Sequence, residues 1–409
     1  MLGVPNWPGM NSTPHDDDVV ILAGARTPFG NLGGALADLT ATDLGVAAAQ
    51  AAIERSGAAA SKIDEIVFGN VVQSSADAIY LARHIGLRAG VPVGVPAVTV
   101  NRLCGSGLEA ILQGARSLRL GEATYVLAGG TENMTQAPHV VRGGRKGFAF
   151  GANVQFEDSL WSALVDSYAK APMAITAENL AKKYGISREA SDEFALASQH
   201  RALESQENGY FADEIVAVTV PGPKGTSAVV DRDEGPRAGL TMEKLGKLPA
   251  RFVKDGVVTP GNASGITDGA AAVVLTTVKQ ARADGLSWIG RLLGAAVVGV
   301  DPEIMGIGPA MAIPQALARA GVAIKDLGVM EINEAFAPQV LACAKAMNLN
   351  GTRLNPHGGA ISLGHPLGAS GARVTITTLN DLRKRGGGIG VASACIGGGQ
   401  GIAAVVAAE

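Results

Sequence analysis

The sequence predicts a layered α/β protein made of two similar halves with a long insertion between them. Three observations carry that reading. Short β-branched runs alternate with segments of helical apolar spacing, the pattern of strands and helices packed in layers. One motif pair occurs twice: a glycine-rich turn opens a helix at Cys104-Gly105-Ser106-Gly107 and again at Gly368-Ala369-Ser370-Gly371, and a strand ends in glycines at Gly129-Gly130 and again at Gly397-Gly398-Gly399. The motif order gives a repeat of about 130 residues. Between the copies, residues 138–265 change texture, and a stretch of that length is an inserted subdomain rather than a loop.

The first strand is expected at Val19-Val20-Ile21-Leu22-Ala23, closed by Gly24. Residues 42–55 have helical spacing, with Asp43 in the first turn and Gly57 as the stop. Ile66-Val67-Phe68-Gly69-Asn70-Val71-Val72 and Ala97-Val98-Thr99-Val100 read as strands, and a helix follows Cys104. Tyr125-Val126-Leu127-Ala128-Gly129-Gly130 is the next strand. The insertion holds Arg142-Gly143-Gly144-Arg145-Lys146-Gly147, read as a solvated loop or a subunit contact, one helix-like span from Thr176 to Asn208, and a turn at 221–225. In the second half, Val329-Met330-Glu331-Ile332-Asn333 and Ile389-Gly390-Val391-Ala392-Ser393-Ala394 are strand-like, and residues 368–373 open a helix with a basic end at Arg383-Lys384-Arg385. The expected division is an N-terminal half of 18–137 and 266–284, an insertion of 138–265 and a C-terminal half of 285–409. Residues 1–17 are expected to be a disordered extension.

Composition narrows the function. Hydrophobic residues make up 47% but aromatic residues only 4%, so the core is Ala, Val, Leu and Ile. The 55 glycines, about twice the usual share, sit in short motifs and mark tight turns and close backbone approaches. A net charge of −3 gives no global electrostatic case for nucleic acid or an anionic membrane. It leaves room for a local basic pocket for a phosphate-bearing ligand. Cys104, Cys343 and Cys395 form neither a disulfide framework nor a CxxC metal pair, so no metal is expected and a reducing, cytoplasmic location fits. The first eighteen residues carry three aspartates and no Lys or Arg, unlike a signal peptide or a mitochondrial presequence.

On its own, Cys104 reads either as a structural buried thiol or as a nucleophile. Its turn would set the thiol at a helix N-terminus, where free N–H groups and the helix dipole favour the thiolate. Cys343 lies on an apolar helical face and reads as core. His84, His139 and His200 read as solvated or locally bonded residues.

Four separated loops then resemble the thiolase family: Cys104-Gly105-Ser106, Asn333-Glu334-Ala335-Phe336, Gly364-His365-Pro366 and Cys395-Ile396-Gly397, in the family's order and spacing. The likeness also runs through Thr176-Ala177-Glu178-Asn179, Gly261-Asn262-Ala263-Ser264-Gly265 and Ile304-Met305-Gly306-Ile307-Gly308-Pro309, covering nearly the whole chain from about residue 18. Glu157-Asp158-Ser159-Leu160-Trp161, Pro172-Met173-Ala174 and Asp301-Pro302 are most similar to 3-ketoacyl-CoA thiolases of the mitochondrial β-oxidation type and their bacterial relatives. Pro172 stands where short-chain biosynthetic members usually have histidine, and His357 where many relatives have asparagine. His357 either shapes the site or holds a local backbone partner.

The resemblance implies a five-layered α-β-α-β-α fold and acyl transfer to coenzyme A, a co-substrate rather than a resident cofactor. Cys104 would take the acyl group, His365 would remove its proton as an imidazole titrating near physiological pH, and Cys395 would act as acid and base. His365 with a water held by Asn333 would form one oxyanion hole, and the N–H groups of Cys104 and Gly397 the other. Glu334 would be an architectural hydrogen-bonder. Ser264 would lie near the pantetheine arm and Arg237 near the nucleotide end. Met173, Phe252 and Met305 would line the acyl and pantetheine tunnel. The resemblance also implies a homodimer or homotetramer. Three readings remain as alternatives: an acetoacetyl-CoA thiolase, a ketoacyl synthase and a non-catalytic acyl-CoA carrier. Cys395 speaks against the synthase, and the complete set of catalytic residues against the carrier.

Overall fold

The computed structural model describes residues 14–349 and 353–409. Its main sheet runs in the order Val329–Ile332, Gly388–Ile396, Gln400–Ala408, Gly290–Gly299, Val19–Arg26, Thr267–Thr277, Val126–Glu132, Glu65–Gly69, Ala97–Val100. The duplication is visible in the pairing. From Val19–Arg26 outward the pairs are antiparallel, antiparallel, then parallel. From Gly290–Gly299 outward they follow the same sequence. The halves join where Val20 pairs with Arg291 and Ile21 with Gly290.

Helices Ser106–Leu120 and Leu367–Lys384 pack against each other between the strands of the two halves. Helix Ala41–Ser56 covers the outer face of the first half, and helix Gly308–Ala320 that of the second. The result is five layers, helix–sheet–helix–sheet–helix. Glycine makes the central layer possible. A Cβ at Gly107 would lie 2.7 Å from the Gly368 carbonyl oxygen and 2.8 Å from the Ala372 nitrogen, so the two backbones touch where no side chain fits. Leu367–Lys384 is buried from Leu367 to Leu382, as a helix between two sheets must be.

Local chemistry sets the element ends. Thr40 and Asp43 form a capping box at the start of Ala41–Ser56, and Gly57 closes it in the left-handed region. The expected strand at 66–72 is shorter, Glu65–Gly69, because the Val71 and Val72 N–H groups turn to the Glu132 carboxylate. The single helix expected over 176–208 is two helices, Met173–Tyr184 and Arg188–Glu207. Gly185 ends the first at φ 59°, and the Ser187 hydroxyl caps the second.

A buried ion triad ties residues 214 and 233 to strand Val19–Arg26. Arg26 reaches Glu214 at 3.0 Å and Asp233 at 2.7 Å, with all three side chains buried. Residues 1–13 of the expected N-terminal extension lie outside the described residues. His15 to Asp18 are not loose: they form a turn, and the Asp16 carbonyl accepts the Lys279 N–H.

Candidate active site

His365, Phe336 and Met173 line an apolar cavity of about 220 Å³, and Met173 also packs against Cys395 and Gly397, next to which Cys104 lies. The Ala97–Val100 strand ends in a short turn, Leu103–Gly105, that carries Cys104 ahead of the helix. Leu103 sits at φ 47°, a strained conformation for leucine. It is held there by the Asn101 side chain, which accepts the Leu103 N–H at 2.9 Å, and by Ser106, whose hydroxyl donates to the Leu103 carbonyl at 2.7 Å. The Cys104 sulfur faces the N–H groups of Gly397 and of Cys104 itself.

The structure corrects the thiolate expectation. Burial pushes the Cys104 thiol up to about 11, the two N–H groups oppose this, and the buried Glu132 carboxylate adds to it. Cys104 lies in the turn before the helix rather than on its first residue, and desolvation outweighs the dipole there. His365 also departs from expectation. Burial, helped by the Arg373 charge, lowers it from 6.5 to about 3, so it is a neutral imidazole rather than one titrating near physiological pH. The resting pair is a thiol and a free base.

Which nitrogen is the base follows from a residue that sequence reasoning missed. His365 Nδ1 lies 2.6 Å from the Ser370 hydroxyl, and Ser370 donates its proton to the Pro366 carbonyl at 3.0 Å. Ser370 therefore accepts from Nδ1–H, which leaves Nε2 bare. The readable signal was the spacing: a hydroxyl five residues after the histidine falls in the first turn of the helix that follows.

Asn333 extends the Val329–Ile332 strand, donating its N–H to the Ser393 carbonyl. Its side-chain nitrogen is 3.3 Å and 3.5 Å from the two ring nitrogens of His365. Its Oδ1 is buried with no hydrogen-bond partner among the described residues. Glu334 is architectural: it accepts from Ser198, Asn355 and the Ile361 N–H. Cys395 is fully buried at the end of Gly388–Ile396 and clusters with Met305, Ala335, Met173 and Phe336. Burial pushes its thiol well above the ordinary range, and the Cys104 thiol is close enough to add to the shift. A Cβ on Gly397 would lie 3.2 Å from the Met173 sulfur, so Met173 touches the space of both Cys395 and Gly397.

Met173, Phe252, Ser264 and His365 line the cavity, with Trp161, Leu164, Pro172 and Met134 beside them. Ser264 is fixed by its N–H to the Ala335 carbonyl, and the Gly265 carbonyl accepts the His365 N–H. Met305 packs against Cys395 rather than lining this cavity. Arg237 also lies outside the lining: it is exposed, with its backbone N–H on the Gln199 side chain. His357 has local side-chain partners, Ser205 at 2.9 Å and Asp381 at 2.8 Å, and stacks on Tyr210. Cys343 is core, its thiol on the Gly306 carbonyl.

Chemically, this arrangement suits acyl transfer, since sulfur can carry an acyl group while N–H donors hold a thioester oxyanion. The protein is of the acyltransferase class. Comparison with known proteins narrows that class. Residues 19–279 match the thiolase N-terminal domain and residues 286–408 the thiolase C-terminal domain. The chain is therefore a member of the thiolase family. It is 50% identical over 388 residues to the human mitochondrial 3-ketoacyl-CoA thiolase, covering 95% of this chain and 98% of that protein. It is 46% identical over 396 residues to an acetyl-CoA acetyltransferase of Pseudomonas aeruginosa, covering 96% and 100%. A crystal structure of the human mitochondrial enzyme superposes with a TM-score of 0.94 at 48% identity, over 97% of this chain and 100% of that one. A crystal structure of the same human enzyme in complex with CoA gives 0.93 at 48% identity, over 98% and 100%.

Proposed function

We propose that this enzyme is a 3-ketoacyl-CoA thiolase of fatty-acid breakdown. His365 Nε2 takes the Cys104 proton, and the sulfur attacks the 3-keto carbon. The bond between C2 and C3 breaks, leaving an acyl thioester on Cys104 and the enolate of acetyl-CoA. Cys395 gives its proton to that enolate, and acetyl-CoA departs. The Cys395 thiolate then takes the proton of incoming CoA. The CoA sulfur attacks the acyl group, and Cys104 leaves as thiolate and recovers its proton from His365. The Cys104 and Gly397 N–H groups would hold one oxyanion. His365 with a water on Asn333 would hold the other, a role that suits the unpartnered Asn333 Oδ1. No step requires a metal.

The observation that carries this reading is that Met173, which lines the apolar cavity with His365, also packs against Cys395 and Gly397, and the Cys104 sulfur faces the Gly397 N–H. CoA would enter along Met173, Phe252 and Ser264, which line the cavity, and the exposed Arg237 would contact its nucleotide end. A narrower reading, acetyl-CoA acetyltransferase, is favoured by the name of the Pseudomonas relative. Pro172 in the cavity wall, with apolar neighbours, favours longer acyl groups. A homo-oligomer fits two exposed apolar features: the open edge strand Ala97–Val100, where Val98 is 45% exposed, and the segment holding Phe148, Phe150 and Phe156. Three free thiols suit a reducing compartment, and we place the enzyme in the cytoplasm.

The test is CoA-dependent loss of 3-ketoacyl-CoA absorbance with C4, C8 and C16 substrates, with Cys104→Ala as control. Turnover on C8 or C16 that disappears in the variant supports the proposal. Turnover on C4 alone moves the function to acetoacetyl-CoA metabolism. No turnover, or equal rates in the variant, overturns it.

A further inference from the structure

The two reacting side chains come from different halves of the molecule, so something must fix their separation. Cys104 belongs to the first half and His365 to the second. One buried carboxylate is bonded toward both. Glu132, the last residue of Val126–Glu132, is fully buried. It accepts from the Asn70 amide at 3.0 Å, the Val71 N–H at 3.1 Å and the Val72 N–H at 2.9 Å. It also accepts from the Gly368 N–H at 2.8 Å, three residues beyond His365 in the first turn of its helix.

The first arm continues to the nucleophile. The Val71 carbonyl accepts from the Asn101 amide at 3.3 Å, and Asn101 accepts the Leu103 N–H that holds the strained turn before Cys104. The second arm is as tight. A Cβ on Gly368 would lie 2.6 Å from the Thr131 carbonyl oxygen, 2.9 Å from that of Gly69 and 3.1 Å from the Glu132 carboxylate. The start of the His365 helix is therefore pressed onto the first half at the point where Glu132 holds it.

We propose that Glu132 is a positioning residue: its carboxylate is the shared anchor that sets the Cys104 turn against the His365 turn across the junction of the two halves. This deepens the thiolase reading and rests on it. Glu132 does not line the cavity; it acts through the two loops it holds, in addition to the effect of its charge on the Cys104 thiol. Three backbone N–H groups and one amide satisfy the charge in place, which a neutral or shorter side chain would not reproduce. Because reaction rate is steeply sensitive to the placement of reacting groups, a small slip between the halves would cost turnover before it cost binding.

The test is steady-state kinetics with thermal unfolding on Glu132→Asp, Glu132→Gln and Asn101→Ala. Glu132→Asp keeps the charge and shortens the reach by one methylene. Asn101→Ala cuts the nucleophile arm at an exposed residue and leaves the buried carboxylate intact. We expect kcat per folded enzyme to fall about 10- to 100-fold in both Glu132 variants and about tenfold in Asn101→Ala, with KM for CoA changed less than about twofold. If the Glu132 variants do not fold, Asn101→Ala decides. The assignment is overturned if Asn101→Ala keeps kcat within about twofold of the unaltered enzyme, or if folded Glu132→Asp loses melting temperature alone. An inactive unaltered enzyme would instead sink the thiolase reading, whereas active variants of an active enzyme sink only the role of Glu132.

Discussion

His365 Nδ1 lies 2.6 Å from the hydroxyl of Ser370, whose own proton goes to the Pro366 carbonyl. That pair decides which face of the imidazole does chemistry. With Nδ1 protonated, Nε2 is the only basic nitrogen the ring can offer. Replacing Ser370 with alanine removes the acceptor that selects this tautomer. The Ser370→Ala enzyme should stay folded, with kcat lowered by about 10- to 100-fold and KM for CoA nearly unchanged. Kinetics on the purified variant check this, and an unaltered kcat would show that the tautomer is set elsewhere.

The Cys104 thiol, raised to about 11, should be alkylated slowly at neutral pH. Its reaction with iodoacetamide should rise about tenfold per pH unit between pH 7 and 10, with no plateau near 8, because only the thiolate reacts. A plateau below pH 8 would mean that the resting nucleophile is already ionised.

His365, lowered from 6.5 to about 3, links the site to folding stability. The unfolded chain binds this proton at higher pH than the folded one, so its contribution is complete above about 6.5 and is lost as pH falls toward 3. Between pH 7 and 5, urea midpoints of the unaltered enzyme should fall more than those of His365→Ala. Equal falls would mean that His365 is protonated in the folded state.

The three cysteines should separate cleanly. Cys395→Ala should fold and lose at least about 100-fold in turnover, because its proton has no substitute in the buried cluster with Met305 and Met173. Cys343→Ala should keep its kcat and lose about 1 kcal/mol of stability, the cost of a small core truncation. Activity lost in Cys343→Ala but kept in Cys395→Ala would reverse the two assignments.

Gly107→Ala tests the central layer. Its Cβ would meet backbone on the facing helix at 2.7 Å and 2.8 Å, contacts that cannot relax by moving a side chain. A loss of about 3 kcal/mol, or failure to fold, is expected. Gly94→Ala, where nothing lies within 4 Å, should be close to neutral in a thermal melt.

Much of this was legible in the residues. The duplicated glycine turns named the central helices, because only glycine lets two helix backbones touch at Gly107 and Gly368. The four loops named Cys104, Asn333, His365 and Cys395, which the fold brings to one place. What stayed hidden depended on tertiary partners. The ionisation of Cys104 and His365 is set by burial, which no local spacing reports. Glu132 reads as an ordinary strand end until the loop at Asn70 and the helix at Gly368 are seen around it. Gly185 divided one helical span into two, and the periodicity on either side did not show the break.

The most direct test of the central claim is intact-protein mass spectrometry after incubation with 3-ketodecanoyl-CoA in the absence of free CoA. The account predicts an octanoyl adduct on Cys104 alone, released on adding CoA and absent from Cys104→Ala. An adduct on another residue, or acetyl-CoA formed with no adduct on Cys104, would contradict it.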